Sequence, residues 1–142
     1  MSRRCLHPLL LLACLVFASY PIARAQDRPA PVEPVLNQKG KDVQWVPSQG
    51  ELIEKMLNMA QVTPKDRFVD LGSGDGVTVI AAAKRGVRAT GIEYDGNLVE
   101  VSKRNAKAAG VEKLTKFVRG DIFKKDFSDA TVVFTFLLPS LN

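Results

Sequence analysis

The stretch Val69-Asp70-Leu71-Gly72-Ser73-Gly74-Asp75-Gly76 constrains this chain more than any other. The run Arg67-Phe68-Val69 leads into an acid, three glycines follow at alternate positions, and a helix-like segment runs from Val77 to Lys84. That order reads as strand, glycine loop, helix. Glycine lets the backbone take positive φ and approach a ligand closely. The helix start behind the loop offers free N–H groups and a partial positive charge. Such a loop at the C-terminal end of a parallel strand suits a polar, partly anionic ligand.

The spacing narrows the ligand. A dinucleotide fingerprint needs G-x-G-x-x-G, and its third glycine would fall on Val77. The pattern here is acid-x-Gly-x-Gly-x-Gly, which resembles the first motif of the class I S-adenosylmethionine-dependent methyltransferases. A nicotinamide-dependent enzyme is disfavoured by Val77 and by the acid Asp121 after the third strand.

The rest of the chain continues the alternation. Pro47-Ser48-Gln49-Gly50-Glu51 reads as a helix start with Ser48 and Glu51 as a capping box. Leu52, Ile53, Met56, Leu57 and Ala60 share one face of that helix. Trp45 leads into it, either as plain packing or as a wall of the cofactor pocket. Strands are expected at Arg67 to Leu71, Ala89 to Glu93, Thr115 to Arg119 and Ala130 to Leu138. Helices are expected from about Gly76 to Lys84, and from about Asn97 to Ala109 with Gly110 as C-cap. In the second, Leu98, Val101 and Ala108 point inward, and Lys103, Arg104 and Lys107 form a solvated face. The nearly unbroken apolar run of the fourth strand suits burial on both faces of a parallel sheet. Right-handed βαβ units then give an α/β, doubly wound, mostly parallel Rossmann-like sheet of order 3-2-1-4, with its crevice between strands 1 and 4. The fold that the chain resembles goes on through further strands. Residues 42–142 are therefore expected to be the N-terminal part of such a domain, the C-terminal strands missing.

Candidate cofactor residues lie at the strand ends. Gly72, Ser73, Gly74 and Gly76 form the loop under the methionine end and ribose. The family resemblance gives Asp70 the role of orienting the loop or pairing with the ammonium; Asp75 is loop surface or part of the site. Glu93 closes strand 2, where an acid takes both ribose hydroxyls; the resemblance implies the same. Tyr94 is either an aromatic face for adenine or an exposed loop tyrosine. The resemblance gives the adenine amino group to Asp121 and a ring nitrogen to the backbone N–H of Ile122; the other reading of Asp121 is a turn cap.

Phe136-Leu137-Leu138-Pro139 stands where methyltransferases of bases and glutamine amides often carry Asn/Asp-Pro-Pro-aromatic. Together with Asp42-Val43-Gln44-Trp45-Val46-Pro47, Gly91-Ile92-Glu93-Tyr94 and Leu141-Asn142, it resembles a group of exported bacterial methyltransferase-domain proteins. That group is distantly similar to protein-lysine methyltransferases. The resemblance implies S-adenosyl-L-methionine as cofactor and a protein or small-molecule acceptor, a protein lysine being one candidate. Methyl transfer from a sulfonium relies on alignment, so no catalytic base is assigned. The alternative is a non-catalytic exported Rossmann-like binding module.

The N-terminus reads differently. Arg3 and Arg4 precede the apolar run Leu9 to Phe17, which is short for a membrane span, and Ala23-Arg24-Ala25 matches a cleavage site. Residues 1–25 are expected to be a signal peptide cut before Gln26, giving a periplasmic protein in a bacterium. The alternatives are an uncleaved membrane anchor, a mis-assigned start, or a lipoprotein signal through Leu11-Leu12-Ala13-Cys14. Residues 26–41 read as a Pro-rich disordered leader. Cleavage removes Arg3, Arg4 and Arg24, so 20 basic residues become 17 against 15 acids, and the net charge falls from +5 to +2. No nucleic-acid footprint follows. Cys5, Cys14 and His7 leave too, and they are the 2 cysteines and 1 histidine of the sequence. Residues 26–142 therefore hold no disulfide, no thiolate metal site and no histidine-dependent triad; no metal is expected.

Overall fold

The computed structural model describes residues 48–137. The expected signal peptide, the leader, Trp45 and the Leu138-Pro139 ending lie outside the described residues.

The described elements run α1 (Gly50–Met59), β1 (Arg67–Leu71), α2 (Val77–Lys84), β2 (Arg88–Glu93), α3 (Gly96–Ala108), β3 (Thr115–Arg119) and β4 (Val132–Thr135). The sheet has order β3-β2-β1-β4 and every pairing is parallel. Asp70 stands beside Gly91 on one side and Phe134 on the other, and Gly91 beside Phe117. Each expected strand exists, and β1 and β3 match to the residue.

The main core contains Phe68, Ile53, Leu57, Val79, Val87, Ala82 and Ala83. Ala82 and Ala83 of α2 are almost wholly buried, so this helix lies close between the sheet and its helical neighbours. Phe68 meets Phe134 with ring centroids 6.2 Å apart, which joins β4 to that core. A second cluster, Val69, Leu71 and Ile92, is covered by Ile122, Phe127 and Ala130.

Four expectations need correction. The capping box at Ser48 does not form: the N-cap is Gln49, which gives no side-chain cap, and the helix begins one residue later at Gly50. On α1, Leu52 and Ala60 are exposed while Ile53 and Leu57 are buried, so the apolar stripe is narrower than the sequence suggested. On α3, Ala108 faces out and Ala106 faces in, because the helix starts at Gly96 and its inward stripe runs through Leu98, Val101, Ser102 and Ala106. β4 is four residues long instead of spanning Ala130 to Leu138. A turn precedes it, with the Ala130 N–H donating to Phe127 O and the Thr131 N–H to Arg67 O. Among the described residues β4 is an edge strand. It buries Phe134 and leaves Val133 exposed, as is Phe136 just beyond its end, so it is not covered on both faces.

Candidate functional site

The ends of β1, β2 and β3 converge on Glu93. Its Oε2 accepts from the Gly74 N–H at 2.9 Å, and its Oε1 accepts from the Asp95 N–H at 2.8 Å. Its backbone carbonyl accepts from the Gly120 N–H at 2.9 Å. One residue therefore ties together the glycine loop, the approach to α3 and the turn after β3. The carboxylate still has acceptor capacity beyond its two backbone partners.

Gly72, Gly74 and Gly76 all adopt left-handed φ, at 81°, 55° and 81°. A side chain there is strained. Gly76 also has no room: a Cβ would lie 2.8 Å from Phe117 and 2.9 Å from Ser102. At Gly72 it would meet Leu137 at 2.8 Å. The loop hangs from β2, with the N–H groups of Gly72 and Ser73 donating to Ile92 O, and Gly76 closes a turn onto Ser73 O.

Three carboxyls surround this loop. Asp70 is 3% exposed. Burial first, then the neighbouring charges of Glu93 and Asp75, push its pKa up to about 7. Burial also raises Asp75, against a 3.3 Å hydrogen bond from the Val77 N–H that lowers it. Ser73 is 5% exposed, and its hydroxyl is a buried polar atom without a hydrogen-bond partner among the described residues.

The remaining candidates sit at the rim. Tyr94 is 71% exposed beside Glu93, so its ring is free of packing on the core. Asp121 is half-buried and caps its own turn, accepting from the Phe123 N–H at 3.0 Å and pairing with Lys124 at 3.3 Å. The Phe123 N–H is the chief reason that its pKa is lowered. Ile122 packs against the second apolar cluster. A hollow of about 240 Å³ between α1 and α2, floored by Ile53, Val77 and Ile80, includes none of these residues.

Two loop contacts were not foreseen from the sequence. The Ser102 hydroxyl lies 2.9 Å from Gly74 O, and Asn105 Nδ2 donates to Asp75 O at 3.0 Å. The available signal was a serine and an asparagine three residues apart on the inward side of α3.

A family model described as the ANTKMT methyltransferase domain matches residues 70–142, half of the chain. The chain belongs to the ANTKMT methyltransferase domain family. This bears out the class I resemblance of the glycine motif. Among relatives of the family, a protein-lysine N-methyltransferase of Saccharolobus islandicus is 36% identical over 102 residues, 70% of this chain and 63% of the relative. The adenine nucleotide translocase lysine N-methyltransferase of Mus musculus is 35% identical over 100 residues, 70% of this chain and 43% of that protein. The chain thus spans less than two thirds of either relative. A solved RNA methyltransferase from Salinibacter ruber, in complex with S-adenosyl-L-homocysteine, is 47% identical with a TM-score of 0.66. That match covers 68% of this chain and 63% of the other.

Proposed function

We propose that this protein is an S-adenosyl-L-methionine-dependent methyltransferase whose acceptor is a protein lysine amine. The observation that carries the reading is the Glu93 carboxylate, fixed at the end of β2 and hydrogen-bonded to a loop of three left-handed glycines at the end of β1. The lysine acceptor comes from the activities for which the two relatives are named.

The residues present fit that cofactor. Asp70, Asp75 and Glu93 surround the loop, and a ligand carrying an ammonium and a sulfonium favours the ionised form of such carboxyls. The buried Ser73 hydroxyl has hydrogen-bonding capacity to spare. In this reading Glu93 holds the ribose diol with its remaining lone pairs. Gly72, Ser73, Gly74 and Gly76 pass beneath the methionine end, and Asp70 balances its charge. Tyr94 lies against the adenine, with Asp121 and the Ile122 N–H at its edge. When bound, the cofactor supplies an already activated methyl group. The chain's contribution is alignment of the acceptor amine and exclusion of water.

The reading extends to location. Arg3, Arg4, the run Leu9 to Phe17 and Ala23-Arg24-Ala25 support export to the periplasm.

A second reading, RNA as acceptor, is favoured by the activity for which the Salinibacter ruber neighbour is named. Calorimetric titration of the full chain with S-adenosyl-L-methionine tests both readings, followed by incubation with methyl-labelled cofactor and either a protein fraction or total RNA. Label recovered in lysine supports the proposal, and label in RNA replaces it with the second reading. A folded chain that ignores the cofactor removes both.

A further inference from the structure

We infer that Ser102 and Asn105 are positioning residues that set the loop Gly74-Asp75-Gly76 for cofactor binding from the far side, through α3. This rests on the cofactor reading above. Ser102 is fully buried in the interior of α3. A buried hydroxyl is costly without a partner. It has two acceptors, Leu98 O in its own helix and Gly74 O in the loop, each at 2.9 Å. Its single proton serves one of them at a time, so the bond back into the helix competes with the bond to the loop.

Three glycines make this loop permissive, and peptide units flanked by glycine rotate readily. Here three successive units are held. The unit before Gly74 is fixed through its N–H by Glu93, and the next through Gly74 O by Ser102. The unit before Gly76 is fixed through Asp75 O by Asn105 and through the Gly76 N–H by Ser73 O. There are no cis peptide bonds among the described residues. In a trans unit the N–H points opposite to the C=O. Drawing Gly74 O onto α3 therefore aims the Asp75 N–H away from that helix. Releasing Gly74 O lets that unit turn over and present a carbonyl where an N–H stood.

A closed circuit results: Gly74 to Glu93, Glu93 to Asp95 at the head of α3, and Ser102 on α3 back to Gly74. The acid of the site and the helix behind it thus act on the same residue, Gly74, one on each of the two peptide units that flank it.

The test uses Ser102→Ala and Asn105→Ala in the full chain, with S-adenosyl-L-homocysteine as probe. Affinity is measured well below the melting temperature of each variant, alongside site-resolved amide exchange of Gly74, Asp75 and Gly76 in the free protein. The expected result is a Kd raised about tenfold for Ser102→Ala and several-fold for Asn105→Ala, with faster exchange at these three amides and unchanged exchange in the middle of α2. Unchanged Kd and loop exchange, with only a lower melting temperature, would overturn the inference and leave Ser102 a packing residue. If the wild-type chain binds no probe, the cofactor reading falls. Loop exchange in the same samples then decides the clamp by itself: no acceleration in Ser102→Ala overturns it.

Discussion

The Gly74 N–H and the Glu93 carboxylate are joined at 2.9 Å, so the loop that ends β1 and the acid that ends β2 form one unit. The same carboxylate also holds the Asp95 N–H at 2.8 Å. Removing it leaves two backbone N–H groups without their partner, quite apart from any ligand. Glu93→Ala is expected to lose about 1–3 kcal/mol of S-adenosyl-L-methionine affinity, the range for a charge-assisted hydrogen bond. It should also lower the melting temperature. Calorimetry and thermal unfolding on the same protein separate the two effects. Normal affinity in a less stable variant would make Glu93 a loop anchor and nothing more.

Gly76 is expected to be the least replaceable glycine of the loop. Its φ of +81° and the Phe117 and Ser102 contacts oppose any Cβ. Gly76→Ala adds about 1–2 kcal/mol of backbone strain and about 1–3 kcal/mol of overpacking. Urea unfolding should show the sum. A loss below about 1 kcal/mol would mean that Phe117 and Ser102 move aside at little cost. Gly110 provides the control: its φ is also positive, but a Cβ there meets nothing within 4 Å.

Export is expected to leave a mature chain beginning at Gln26 when the protein is expressed with its full N-terminus in a Gram-negative host. Cell fractionation and N-terminal sequencing check this. A cytoplasmic protein that retains Arg3 and Arg4 would refute it.

The architecture was legible because its signals are local. Alternating strand and helix segments, punctuated by Gly72 and Gly110, pointed to the parallel sheet and its order. The family resemblance followed from the glycine spacing, while Glu93 pointed to a ribose. What could not be read depends on contacts distant in sequence. The apolar run from Ala130 to Leu138 looked like a strand buried on both faces, yet Thr131 is held by Asp66 and Arg67, and β4 is short with Val133 exposed. Nothing in the sequence says that the glycine loop lies across Ser102 and Asn105 of α3. Ser48 and Glu51 had the spacing of a capping box, but the helix starts two residues after Ser48.

Asp70 makes a prediction about pH. Burial and the charges of Glu93 and Asp75 raise its pKa from 3.8 to about 7. Between those values the folded chain keeps a proton that the unfolded chain releases. Stability therefore falls as pH rises from about 4 to 7, and the Asp70 contribution levels off above 7. At about 1.4 kcal/mol per unit, this one group costs up to about 3 kcal/mol between pH 5 and pH 8. Asp70→Asn is expected to remove that slope, because the amide stays neutral throughout. Urea unfolding of both proteins at pH 5, 6, 7 and 8 checks it, and equal slopes would mean that Asp70 is already ionised in the folded chain at pH 5. A cationic ligand beside the carboxyl favours its ionised form. S-adenosyl-L-methionine should then bind more tightly as pH rises through 7, opposite in sign to the stability of the free chain, and Asp70→Asn should abolish that dependence too.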